Sequence, residues 1–430
     1  MTSAAVAYRR CIISATVLGA TLRLVMLISK WNTKLMLNDS LYYSIQASNN
    51  AHGRWFKEAG GSNVANWGVL PGAEHPPLTS VVLVPASWLP HPEFWQRATM
   101  TALGIAVIPL VAVLARRVAG RRVAVIAAVI AAVYPNLWLS DALIMSETLM
   151  LFLMVITMIV ATRHRDRFDP RSALVLGAMI GLTGYARSEI LLYAPLFALI
   201  GVRTHPRATW IRSGGLVLAA AGLTVLPWVV FNSARFDSMV VMSTNDGNTL
   251  LGANCPTTYG GPGLGGWNLT CLGPEPDEPD IDSSRRSAIR RREAVSYALH
   301  HAERWVYVVP ARVLRAVDLF GIPDNVRGDV GEERPRWGVW AGIVSWWALA
   351  PMAAVGLWRT RRGLRCLLSI PVFGVLGVAV AFYGSHRLRA PVEPIIVVCA
   401  AMFIAARPTV TRWFDARVAG LSVEVDELPT

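Results

Sequence analysis

Apolar stretches, many of them about 20 residues long, recur along most of this chain and limit what it can fold into. A helix needs about 20 mostly apolar residues to cross the hydrocarbon core of a bilayer. The pattern predicts about ten such spans, within a range of roughly 9 to 13, because short runs and boundaries are read imprecisely from sequence. We therefore predict an all-α polytopic membrane protein. The spans are residues 11–29, 98–116, 123–139, 146–162, 172–186, 189–202, 213–231, 337–357, 366–383 and 394–406, of which the fifth, sixth and tenth are short.

The formal net charge of +13 would indicate a nucleic-acid partner in a soluble protein. Here, however, 53% of the residues are hydrophobic and only 16% are charged, and the arginines gather in short clusters between the apolar runs. Basic residues at the ends of spans are the usual orientation signal of a membrane protein. We therefore expect this chain to have a membrane, and no nucleic acid, among its partners.

Five basic clusters determine the predicted topology. Positive charge marks the cytoplasmic side, and the clusters fall at every second connection between the predicted spans. This predicts a multi-pass protein of the cell membrane with both termini in the cytoplasm. No small-residue cleavage site follows the first apolar run, which predicts an uncleaved first span. The clusters are Arg9 with Arg10, ARRVAGRR (115–122), RHRDR (163–167), RTHPR (203–207) with Arg212, and RTRRGLR (359–365).

The connections on the opposite, extracytoplasmic side predict the domain organisation. We expect residues 1–231 to form an N-terminal transmembrane catalytic module that includes a first outer loop, 30–97. Residues 232–336 form a long outer loop domain, and residues 337–430 form the last spans and a short cytoplasmic tail. Two stretches of the first outer loop are too short or too polar to cross, and we expect them to lie on the membrane surface as juxtamembrane helices. They are residues 39–56 and 76–90.

Five acids lie at the mouths of the predicted spans on this outer side. Ionisable groups at that depth are costly unless they face water, a partner or a ligand, so each is a candidate site residue. The alternative for any one of them is a solvated loop carboxylate, and for Glu189 and Asp141 the two interpretations stand level. The acids are Asp39, Glu74, Asp141, Glu147 and Glu189.

The string GAEHPPL (72–78) places Glu74 and His75 directly before two prolines. The prolines fix the backbone and prevent a helix from continuing into them, so they predict a rigid corner above the membrane. A His and a Glu can share a proton or bind a metal. A metal site needs more ligands than the sequence identifies, so a hydrogen-bonding corner is favoured; a divalent metal cofactor stays open.

Several arginines depart from the orientation rule because they fall on the outer side. Guanidinium groups recognise phosphate well, and a lipid-linked phosphate at the outer face would explain them. Snorkelling or pairing with loop acids is the alternative; it is stronger for Arg304 and Arg312 than for Arg387 and Arg389. The outer arginines are Arg187, Arg304, Arg312, Arg315, Arg387 and Arg389.

Two of the five cysteines, Cys255 and Cys271, lie in one polar stretch of the long outer loop. In an oxidising compartment they could close a loop as a disulfide. The surrounding residues, 245–271, are rich in Gly, Asn and Thr. That composition suits sugar hydroxyl groups, but it is also what turns are made of, and on composition alone the turn interpretation is favoured.

Taken together, these strings resemble membrane glycosyltransferases of the C-type fold. The order is an acid after the first span, then HPPL, ARRVAGRR, YPNLWLSDALIMSE and GYARSE. The branch most similar in this order contains the protein O-mannosyltransferases and the aminoarabinose transferases of lipid A (ArnT-like). The resemblance covers nearly the whole chain and is strongest over 37–190; residues 252–271 and 304–315 resemble actinobacterial members.

The resemblance implies a donor sugar on a polyprenyl phosphate and an acid in the first outer loop that acts as general base. The matching position is Asp39. The family often has Asp-Glu there, whereas this chain has Ser40 after the aspartate, so the second acid is missing. Glu74 or Glu147 is a candidate to replace it.

The implied reaction is a direct, inverting displacement on the extracytoplasmic face. Asp39 takes the proton of an acceptor hydroxyl, while Arg387, with Arg389 or Arg187, stabilises the leaving phosphate. The sequence leaves the sugar open among mannose, arabinose, galactose and an amino sugar, and the acceptor open among lipid, polysaccharide and protein. A transporter or flippase of lipid-linked sugars is the alternative function.

Overall fold

The computed structural model describes residues 3–36, 38–59, 69–273 and 281–417. The final acidic tail of the predicted cytoplasmic C-terminus therefore lies outside the described residues. Helices account for the regular structure of the described ranges, where strand-like pairing is limited to an isolated antiparallel bridge between Lys57 and Pro71.

The α-helices of the described residues are, in chain order, α1 (Ser3–Ser29), α2 (Asp39–Ala51), α3 (Leu78–Val82), α4 (Pro92–Val133), α5 (Ser146–Arg167), α6 (Pro170–Gly184), α7 (Ala194–Ala198), α8 (Arg207–Ser233), α9 (Asp246–Ala253), α10 (Pro256–Tyr259), α11 (Ser283–His300), α12 (Trp305–Ala316), α13 (Ile322–Gly331), α14 (Arg336–Trp358), α15 (Arg362–Ala381), α16 (Glu393–Ala405) and α17 (Pro408–Arg417). Short 3₁₀ helices lie at Pro85–Trp88, Pro135–Leu137, Ser188–Tyr193, Leu269–Leu272, Ala302–Arg304 and His386–Val392.

Within the described residues, seven helical segments are long and apolar enough to cross a membrane. The 42-residue α4 is two helical arms, because Ala119 and Gly120 have non-helical backbone angles, with φ +83° at Gly120. These arms correspond to the second and third predicted spans. The fifth and sixth predicted spans become α6 and the short segment Ser188–Ala198. The predicted fold class, an all-α polytopic membrane protein, is confirmed.

The spanning helices pack closely through small residues, as helices in membranes commonly do. A Cβ atom on Gly177 of α6 would come within 2.2 Å of the Val217 carbonyl oxygen of α8. A Cβ atom on Gly356 of α14 would come within 2.0 Å of the Cys399 carbonyl oxygen of α16. These backbones can approach each other only because no side chain intervenes.

Basic clusters that are far apart in sequence meet at one end of the helix bundle, which we call the basic end. Arg117 donates to Asp166 at 3.1 Å, and Phe168 stacks on His205 with ring centroids 3.6 Å apart. The helix α5 ends here at Arg167 and begins at Ser146, so its 22 residues span about 33 Å. Glu147 therefore lies at the opposite end of the bundle.

The first connection at that opposite end forms α2 and α3. The Asn38 side chain caps α2 by accepting from the Ser40 amide at 3.0 Å, which fixes where the helix begins. The predicted surface helix of residues 76–90 is broken in two, into α3 and the 3₁₀ helix Pro85–Trp88. A proline at the start of each piece accounts for the break.

Segment 232–336 contains α9 to α13, and its Gly-rich loop wraps around buried arginines. Cys255 and Cys271 are joined by a disulfide. Arg312 donates to the Ala253 carbonyl oxygen at 2.9 Å, and Arg315 donates to the Leu264 carbonyl oxygen at 2.7 Å. Both arginines therefore hold the turns of this loop in place, and the described partners of Arg312 are carbonyl and amide oxygens rather than loop acids.

Candidate active site

The carboxylate of Glu147, in the first turn of α5, gathers three arginines. Its Oε1 atom accepts from Arg387 Nε at 2.9 Å and lies 3.1 Å from Arg187 Nη1. Arg334 Nη2 approaches the same oxygen at 3.6 Å. The Glu147 side chain is only 3% exposed, and a buried carboxylate would be costly without such partners. Glu147 therefore organises the guanidinium groups and is itself shielded from solvent.

Asp39 lies beside this cluster at the N-terminus of α2. Its Oδ2 atom is 3.2 Å from Arg387 Nη2, and its Oδ1 atom is 3.5 Å from His75 Nε2. Burial opposes ionisation, but the electrostatic attraction of His75 and Arg387 outweighs it and holds the pKa of Asp39 below its usual range. A third of the side chain is exposed, so Asp39 is an ionised carboxylate that a ligand can reach.

The corner predicted from GAEHPPL brings His75 to Asp39. The ring of His75 packs against those of Tyr42 and Tyr43, with centroids 4.8 and 5.1 Å away. The next residues continue into α3, where the Leu78 amide donates to the Tyr185 carbonyl oxygen at 3.0 Å. This contact ties the corner to the connection that carries Arg187.

Glu332 is a member of the cluster that the predictions missed. Its Oε1 atom accepts from Arg387 Nη1 at 2.7 Å. Burial raises the pKa of Glu332, and the nearby Asp39 and Glu147 carboxylates raise it further. The positive charge of Arg387 acts in the opposite direction but does not outweigh them. The string GEERPR stands at the mouth of the predicted span 337–357, so the criterion applied to the other acids would have found it.

The structure brings together five of the predicted site residues: Asp39, His75, Glu147, Arg187 and Arg387. Arg187 is held between Glu147 and Glu189, with its Nε atom 2.5 Å from Glu189 Oε1. Glu74 is not part of this cluster. Its side chain lines a separate cavity of about 60 Å³ beside α11.

Two predicted site residues are in buried ion pairs of their own. Asp141 is 1% exposed and accepts from Arg23 Nε at 2.7 Å, which satisfies an arginine inside the bundle. Arg389 is 2% exposed, pairs with Asp318 and donates to Glu393 Oε1 at 2.6 Å. Neither is placed at the surface of the site, because each balances a charge that would otherwise be buried alone.

A second buried network, centred on His386, adjoins the Glu147 cluster. His386 lies between two carboxylates, with Nδ1 2.8 Å from Asp318 Oδ1 and Nε2 2.8 Å from Asp329 Oδ2. Asp329 also accepts from Arg334. The network therefore connects His386, the residue before Arg387, with Arg334, the third arginine of the Glu147 cluster. It fixes the orientation of His386 and Arg334.

A divalent metal was left open by the sequence. Among the residues that the structure describes, no group of three or more His, Cys, Asp or Glu side chains is arranged to hold a metal ion. The acids of the site are engaged instead by arginines and histidines.

An apolar groove of about 430 Å³ opens next to the charged cluster. Pro77, two residues after His75, and Tyr185, two residues before Arg187, belong to its wall. The groove lies between the first connection and the ends of α6 and α8, and all nine of its lining residues are apolar or aromatic. They are Phe56, Pro77, Leu78, Val81, Leu182, Tyr185, Pro227, Trp228 and Phe231.

The fold is similar to that of two solved membrane enzymes. The archaeal oligosaccharyltransferase AglB from Archaeoglobus fulgidus, in complex with an inhibitory peptide and a dolichol-phosphate, superposes with a TM-score of 0.57 at 15% identity. ArnT from Cupriavidus metallidurans in the apo state superposes with a TM-score of 0.54 at 14% identity. This chain has the C-type glycosyltransferase fold.

The similarity spans 95% of this chain and 51% of AglB, and 93% of this chain and 61% of ArnT. The chain therefore covers about half to three-fifths of these neighbours. No family model and no curated protein matches the sequence. The resemblance predicted from the motifs is confirmed for the C-type fold, and at this identity the likeness concerns the fold alone.

Proposed function

We propose that this protein is an integral-membrane glycosyltransferase that moves a sugar from a polyprenyl-phosphate donor to an acceptor hydroxyl. The observation that carries the proposal is the convergence of Arg187 and Arg387 on Glu147, beside the accessible carboxylate of Asp39. Paired guanidinium groups suit a phosphate, and a neighbouring carboxylate suits a hydroxyl proton. A displacement with a phosphate leaving group needs both at once.

In the proposed reaction, Asp39 accepts the proton of the acceptor hydroxyl as the acceptor oxygen forms a bond to the anomeric carbon. The bond from that carbon to the phosphate oxygen breaks, and its electron pair leaves with the polyprenyl phosphate. This leaving group needs charge stabilisation more than protonation, and Arg387 with Arg187 supplies it. One displacement inverts the configuration at the carbon. The lowered pKa of Asp39 keeps the base ionised at neutral pH.

The apolar groove is the proposed path of the polyprenyl tail. Its walls include Pro77 and Tyr185, which flank the corner of His75 and the position of Arg187. A lipid lying there would have its phosphate end at the charged cluster and its chain towards the bilayer. The complex of AglB with a dolichol-phosphate supports the same donor class by analogy of fold.

The proposed site uses all three predicted segments of the chain. Asp39, Glu147 and Arg187 belong to 1–231, Arg334 to the long connection 232–336, and Arg387 to the C-terminal part. Residues 1–231 alone would therefore be an incomplete catalytic module. With the basic end in the cytoplasm, as positive charge predicts, the site would face the extracytoplasmic side of the cell membrane.

The proposal is tested with the purified full-length protein in lipid vesicles and a panel of synthetic polyprenyl-phosphate sugars. A glycoside should form together with free polyprenyl phosphate. Movement of the intact lipid-linked sugar across the bilayer without formation of a glycoside would instead identify a transporter. Mass analysis of envelope glycans in a deletion strain would then report the sugar and the acceptor together.

A further inference from the structure

Carboxylates contact all three nitrogen atoms of the Arg387 guanidinium. Its Nε donates to Glu147, its Nη2 lies 2.8 Å from Glu147 and 3.2 Å from Asp39, and its Nη1 donates to Glu332 at 2.7 Å. These three nitrogens carry all five N–H donors of the guanidinium, so each edge that could bind a phosphate already faces an acid. A donor phosphate that forms a bidentate pair with Arg387 must therefore displace one of these acids.

The three acids differ in how easily they can leave. Glu147 is 3% exposed and is shared with Arg187, so its release would uncover several buried charges. Asp39 is needed at the reacting hydroxyl in the proposed reaction. Glu332 is 17% exposed, and its Oε2 atom has no hydrogen-bond partner among the described residues. Glu147 also contacts Arg387 through Oε1 only, but it is paired with Arg187 and Arg334 as well, whereas the described ion pair of Glu332 is with Arg387.

The backbone around Glu332 is anchored, so that only its side chain is free to turn. On one side the Gly331 carbonyl oxygen accepts from Asn38 Nδ2 at 3.2 Å. On the other side Glu333 pairs with Arg97 at 2.9 Å, and its carbonyl oxygen accepts from Lys30 at 2.7 Å. The left-handed backbone of Glu333, with φ +65°, is held by these contacts.

We propose that Glu332 is an internal anion that competes with the donor phosphate for the Nη1 atom of Arg387 and yields this atom when the donor binds. After the sugar has been transferred, the same carboxylate returns and promotes release of the polyprenyl phosphate. This role rests on the proposed function, because it concerns the phosphate of that donor.

Electrostatics favours exchange over simultaneous binding. Asp39, Glu147 and Glu332 already surround one guanidinium, and a phosphate would add further negative charge at the same point. The raised pKa of Glu332 indicates that its charge is the least well stabilised of the outer acids there. Rotation into solvent relieves this repulsion, while the anchored backbone keeps the carboxylate close enough to return.

The test is the affinity of the full-length protein for polyprenyl phosphate, the lipid product without sugar, measured in detergent micelles or nanodiscs. Glu332→Gln keeps the shape of the side chain and removes the competing charge. We expect the dissociation constant to fall by about tenfold, which equals about 1.4 kcal/mol, because the variant no longer places a competing charge at Arg387. Product inhibition of transfer should strengthen by the same factor.

Glu293→Gln is the matched control, because Glu293 lies exposed on α11 and undergoes the same change of charge. Its affinity should equal that of the wild type. Glu332→Ala is a second variant and should also bind more tightly. A gain of affinity is informative because a damaged fold would lose affinity instead.

The outcomes separate the two proposals. If the wild type does not bind polyprenyl phosphate at all, the proposed donor class is wrong. If the wild type binds but both Glu332 variants bind equally or more weakly, the donor class stands and the role of Glu332 is overturned. Tighter binding by the Glu332 variants, with an unchanged control, supports the exchange.

Discussion

The substitution Asp39→Asn isolates the proposed general base. Asparagine has nearly the same size as aspartate, but it has no negative charge and cannot take a proton from a hydroxyl group. A positioned general base contributes about 10²- to 10⁴-fold to a rate, so we expect the transfer rate to fall at least about 100-fold. This corresponds to a barrier increase of about 2.7 kcal/mol or more.

The stability of the variant should change far less than its rate. The side chain of Asp39 is one-third exposed, and Arg387 keeps its contacts with Glu147 and Glu332 when the charge is removed. An ion pair with this exposure contributes about 1 kcal/mol at most. The variant should therefore unfold at nearly the wild-type temperature and still bind polyprenyl phosphate.

The assay follows transfer of a labelled sugar from a purified polyprenyl-phosphate donor, beside a thermal unfolding measurement. Asp237→Asn is the control, since this exposed aspartate undergoes the same change outside the cluster. A folded Asp39→Asn variant that transfers sugar within about fivefold of the wild type would refute the general-base role, given the expected contribution. Glu332 would then be the next carboxylate to consider at the reacting hydroxyl.

Three further predictions concern the scaffold. Asp329→Asn should lower the free energy of unfolding by about 3–5 kcal/mol, because it leaves buried charges unpaired. Arg334 and His386 outweigh burial and lower the pKa of Asp329, so its stabilising effect is present above the unfolded pKa of about 3.9 and is lost as the pH falls through the lower folded pKa. Denaturant titrations at several pH values measure both effects. Gly104→Ala should destabilise by about 1–3 kcal/mol, since the new Cβ would lie 2.0 Å from an oxygen of Asp141, whereas Gly222→Ala, with open space around it, should be neutral in the same thermal assay. Cys255→Ser should lower stability by about 3 kcal/mol by opening a loop with a sequence separation of 16, and a reducing agent should lower the unfolding temperature of the wild type but not of the variant.

The sequence by itself determined the membrane fold, because apolar length and arginine position are local properties of the chain. The spans at 98–116 and 123–139 were separable because Gly120 and the arginines around it interrupt the apolar run, and the structure breaks the helix α4 at the same place. Asp39 and Arg387 could also be identified as candidates from the sequence, because an uncompensated charge at the mouth of a span needs a partner.

Only the tertiary structure decided how those charges are paired. Arg387 and Arg389 are two residues apart and looked equivalent, but the 3₁₀ helix His386–Val392 directs one towards Glu147 and the other into a buried pair with Glu393. Glu332 joins Arg387 across 55 positions of sequence, a distance over which no local pattern carries information. Ion pairs between distant segments depend on which helix ends meet, and that is set by the packing of the whole bundle.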